Sequence, residues 1–126
     1  MALKQDYVLR LIEEIINLLV RSDKKKEDIL EFFEDSDGKD KEKLEYLKKL
    51  IDEKKINEAE DYLFENLDKS NHDDFLIGML FYKYLNLKDD SFFEDINYER
   101  NEITDGIADL SKMYGYGDFV EMLFKT

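Results

Sequence analysis

Apolar residues in this chain recur every three or four positions and nowhere alternate strictly with polar ones, a pattern that predicts α-helices and no β-strand. The first predicted helix, 6–21, is the least ordinary. At about 100° per residue, Val8, Ile12, Ile15 and Leu19 form the centre of an apolar stripe, which Leu9, Ile16 and Val20 widen on one side and Tyr7, Leu11 and Leu18 on the other. Arg10, Glu13, Glu14, Asn17 and Arg21 share the remaining face. The apolar arc, roughly 220°, is about twice that of a helix lying on one core, so it demands either a central place in the fold or a second chain. Tyr7, Leu9, Leu11, Ile16, Leu18 and Val20 are therefore the candidate interface residues, and Arg10 and Glu14, four apart, are spaced to pair at its edge.

The later segments follow more familiar patterns. Ser22 or Asp23 can cap a short helix to about residue 35 that docks by Ile29, Leu30, Phe32 and Phe33, and the polar, glycine-containing stretch 36–40 reads as a loop. Over 40–68 the spacing predicts a helical hairpin. Leu44, Leu47, Leu50 and Ile51 line its first helix, Ala59, Leu63, Phe64 and Leu67 its second, and the turn at 54–56 is short enough to make them antiparallel neighbours. Ser70 or Asn71 is placed to cap the next helix, with Asp73 and Asp74 in the first turn, where negative charge is favoured. Apolar residues surround 72–87 almost completely, marking it as the central buried helix, and Gly78 lets a neighbour approach closely. A helical turn over 89–95 carries Phe92 and Phe93. An amphipathic helix over 98–114 follows with Ile103, Ile107, Leu110 and Tyr114 as its stripe and Gly115 as its stop, and a short last helix holds Phe119, Val120, Leu123 and Phe124. The expected fold is all-α, a compact bundle of about six to seven helices in one domain over 1–126.

Composition narrows the chemistry. With 43% hydrophobic and 13% aromatic residues, the chain can bury a core although 40% of it is charged. The absence of cysteine rules out disulfides, thiolate nucleophiles and cysteine-based zinc sites. Arg10, Glu13, Glu14 and Asn17 interrupt the first apolar stretch, which is thus expected to be neither a secretory signal nor a membrane span, and a cytoplasmic location is the expectation. Net charge is −13 and uneven: residues 39–55 are net +2 and residues 56–126 net −11. Such a field repels nucleic-acid backbones and anionic lipid and leaves a basic protein as the charged partner it suits.

The motifs that invite a catalytic or metal reading do not complete one. Asp35-Ser36-Asp37-Gly38 suggests a calcium loop, yet with Gly38 at the sixth position the first residue would be Phe33 and the twelfth Leu44, neither of them a ligand. His72 is the sole histidine, and its neighbours Asp73 and Asp74 project in different directions from a helix. Paired acids such as Glu13-Glu14, Asp89-Asp90 and Glu94-Asp95 are unremarkable in so acidic a chain. No glycine-rich phosphate loop occurs, Gly115-Tyr116-Gly117 follows a helix, and the run Lys24-Lys25-Lys26 stands isolated among acids.

Two resemblances bear on the reading. The hairpin is similar to one tetratricopeptide-type unit at Lys54-Lys55-Ile56-Asn57-Glu58-Ala59 and Leu63, which implies a helix pair of the kind that presents a groove to a partner peptide. The stretches 5–12, 50–60 and 103–110 resemble an uncharacterised family of small helical proteins from Gram-positive bacteria, which implies an all-α fold and supplies no functional residues. The function expected from the sequence is a non-enzymatic helical interaction module without cofactor or metal, self-associating through the first helix as a homodimer or binding another protein. Two alternatives stand beside it: a carboxylate-based metal or small-ligand enzyme within the bundle, and an acidic decoy that binds a basic protein.

Overall fold

In the computed structural model, residues 5–17 and 39–124 are described. Among these the chain forms seven helices and no strand: α1 (Gln5–Ile15), α2 (Lys39–Asp52), α3 (Ile56–Glu65), α4 (His72–Asn86), α5 (Asp90–Glu94), α6 (Arg100–Met113) and α7 (Gly117–Phe124). The helix expected up to residue 35 and the loop segment 36–38 lie outside the described residues, as does the end of the first predicted helix beyond residue 17.

Local chemistry sets the boundaries. The Asn71 side chain accepts the Asp73 N–H at 3.0 Å and starts α4, and Asp89 accepts the Phe92 N–H at 3.1 Å and starts α5. Glu99 takes the capping position of α6, its N–H donating to Glu102 Oε2 at 2.7 Å, so this helix begins two residues later than its apolar spacing suggests. Gly115, at φ +83°, ends α6 in a Schellman turn, with the Tyr116 N–H on the Ser111 carbonyl at 2.8 Å and the Gly115 N–H on that of Lys112 at 3.1 Å. Lys54 does the same at the end of α2 with φ +63°, an unusual place for a side-chain-bearing residue.

The all-α bundle is organised around α4, which packs against α1, α2 and α6, while α7 folds back on α6 and α3 lies against α2. Phe75, Phe81 and Tyr82 are fully buried, each contributing about 1.5–3 kcal/mol of burial. The Leu110 side chain occupies the space where a Cβ of Gly78 would stand. α4 is not enclosed all round, however: Leu80 and Tyr84 are half-buried and Leu87 is 54% exposed. With Lys83 they form an i, i+3, i+4, i+7 strip facing outward, along which Tyr84 meets Asp52 and Lys88.

Polar groups tie the helices at one end. Gln5 and Asn86 exchange two hydrogen bonds, Gln5 Nε2 to the Asn86 carbonyl at 2.9 Å and Asn86 Nδ2 to the Gln5 carbonyl at 3.0 Å. The buried Arg100 guanidinium donates to Asn86 Oδ1 and its carbonyl, to the Lys88 carbonyl and to Asp90 Oδ1, and it stacks 4.8 Å from the Phe93 ring. Its donors therefore cap the C-terminal end of α4 and hold Asp90 of α5, and are used up between the two.

Candidate functional site

The stripe Glu102, Asp105, Gly106 and Asp109 lies along one face of α6, and Glu60, Asp61 and Phe64 lie along one face of α3. The two faces border an open cleft of about 320 Å3. Five carboxylates and a phenyl ring line it.

Glu60 is its anchor. The buried Tyr82 reaches across from α4 where Gly106 presents no side chain, and its hydroxyl donates to Glu60 Oε2 at 2.7 Å; a Cβ on Gly106 would fall on the Tyr82 ring. The Tyr98 hydroxyl donates to the same oxygen at 3.4 Å. Burial pushes the Glu60 carboxyl above its ordinary value, the two phenols pull it back, and the negative charges of Glu102 and Asp61 push it up again. Both phenols are themselves held well above their ordinary range, by burial first and by the Glu60 charge second, so they remain donors.

Elsewhere on the molecule acids meet cations: Asp52 meets Lys88 at 2.6 Å, Asp95 meets Lys54 at 2.9 Å, Asp74 meets Lys43 at 3.4 Å and Glu13 meets Lys83 at 3.6 Å. Among the described residues, none of the five cleft carboxylates has such a partner. Nor, among the described residues, do three histidine or carboxylate side chains converge as a metal ion requires. The cleft carboxylates are spread along the two helices, an arrangement suited to several cationic groups rather than one focused ion.

The sequence-predicted residues fall elsewhere. Leu11 and Ile16 are buried within the chain, Tyr7 and Leu9 are half-buried, and Leu18 and Val20 lie outside the described residues. The Tyr7 hydroxyl reaches the Phe124 carbonyl at 3.5 Å, joining α1 to α7, while Arg10 and Glu14 are exposed. His72, Asp73 and Asp74 separate as the helix geometry requires. His72 Nε2 lies 2.8 Å from the Tyr116 hydroxyl, and Asp74 is buried, accepting the Asp68 N–H at 2.9 Å. Tyr114 closes the same corner, its hydroxyl donating to the Asp68 carbonyl at 2.9 Å and its own ionisation pushed up to about 12 by burial and the charges of Asp74 and Asp68. Of the paired acids, Asp89 caps α5, and Asp90 and Asp95 bind Arg100 and Lys54. Sequence reasoning missed the cleft. The signal available was the series Glu102, Asp105 and Asp109 on one helix face around a mid-helix glycine.

Fold and cleft together define a small all-α bundle that carries an acidic cleft. The chain belongs to DUF6483, a family of unknown function, whose model matches residues 2–115. No curated protein and no solved structure matches it. Among the described residues, no helix is long and apolar enough to cross a membrane.

Proposed function

We propose that this protein is a non-enzymatic helical interaction module whose α3–α6 cleft receives a basic segment of a partner protein. The observation that carries the reading is the cleft itself, with five carboxylates that no cation of the described residues pairs and the Phe64 ring beside them. Lysine or arginine side chains would meet the carboxylates while their aliphatic stems lie along the ring. The excess of negative charge over 56–126 supports the same partner by steering it in, and argues against nucleic acid or an anionic membrane. The likeness of the α2–α3 pair to a tetratricopeptide-type unit is consistent with this use, since α3 forms one wall. Self-association through α1 is the weaker reading because the chain itself covers Leu11 and Ile16, leaving Tyr7 and Leu9 as the described part of that face.

The test is fluorescence anisotropy of a short labelled lysine-rich peptide, at low and moderate salt, against the native chain and two double variants. Asp105→Asn with Asp109→Asn removes two cleft charges and is expected to weaken binding about tenfold or more, a change of about 1.4 kcal/mol. Glu14→Gln with Glu121→Gln removes two exposed charges elsewhere and is expected to leave binding within about twofold. Equal losses in both variants would show attraction by net charge alone and overturn the cleft, and an absence of binding to the native chain would overturn the reading.

A further inference from the structure

We draw no further inference here: the strongest candidate, the outer face of α7 where Met122 stands 67% exposed beside half-buried Phe119, is an unpartnered apolar patch, and nothing in the structure shows what covers it.

Discussion

Replacing Tyr82 by Phe tests the anchor of the cleft while preserving the ring that packs over Gly106. The substitution deletes one hydroxyl, whose 2.7 Å bond to Glu60 Oε2 is the shorter of the two that hold this carboxylate. A hydrogen bond to an ionised group contributes about 1.5–3 kcal/mol. Phenylalanine also spares the cost of burying a hydroxyl, and Glu60 borders the cleft, where water can replace the lost donor, so the loss falls at the low end, about 1.5 kcal/mol at neutral pH. For a chain of this length that lowers Tm by roughly 6 °C. The pH dependence gives the sharper result. Glu60 already ionises above its ordinary 4.5 in the folded state, so its contribution to stability diminishes as pH rises through that folded-state value. Tyr82→Phe removes a bond that favours the carboxylate, raises the folded value further and steepens the decline. Urea unfolding followed by circular dichroism should therefore show a gap between native and variant that widens from about pH 4.5, where more of Glu60 is protonated and the bond to it contributes less, to about pH 7. An equal gap at both pH values, or a variant as stable as the native chain at pH 7, would refute the reasoning.

Substitutions at three further positions probe the scaffold. Arg100→Ala leaves Asn86 Oδ1 and the Lys88 carbonyl without their donor and the Asn86 carbonyl with Gln5 Nε2 alone, and is expected to cost about 3 kcal/mol or more in urea unfolding, with Arg100→Lys recovering less than half because an ammonium cannot span the fork; a loss under about 1 kcal/mol would contradict that role. Gly106→Ala should lose about 1–3 kcal/mol by thermal melting, since the new Cβ meets the fully buried Tyr82 ring, although alanine is the better helix former by about 1 kcal/mol; an unchanged or raised Tm would mean that ring yields freely. Ser111 Oγ is buried without a hydrogen-bond partner among the described residues, so Ser111→Ala should be stable to within about 0.5 kcal/mol of the native chain or exceed it, and a larger loss would reveal a partner for that hydroxyl.

The fold was largely legible because its determinants are local. Asn71 marks the start of α4 and Gly115 the end of α6 through single-residue chemistry, and the spacing of Leu44, Leu47, Leu50 and Ile51 places α2 against the core without reference to any other helix. What the sequence withheld depends on contacts between distant residues. The wide arc of α1 is equally compatible with a partner chain and with the internal position that covers Leu11 and Ile16. Nothing local marks Arg100 for the role it takes once α4 brings the Asn86 and Lys88 carbonyls to it. Glu60 and Asp105 are 45 positions apart, and nothing local distinguishes them from the chain's other acids. Gly106 was the nearest thing to a signal, a glycine tolerated inside a helix because Tyr82 needs the space.

Binding of a basic segment in the α3–α6 cleft can be followed residue by residue by titrating the isotopically labelled protein with the lysine-rich peptide and recording backbone amide shifts. Saturable shifts concentrated on residues 60–64 and 102–109 are expected, with Asp105→Asn plus Asp109→Asn requiring about tenfold or more peptide to reach them. Shifts centred on α1, spread evenly over the acidic surface, or absent at saturating peptide would contradict binding in the cleft.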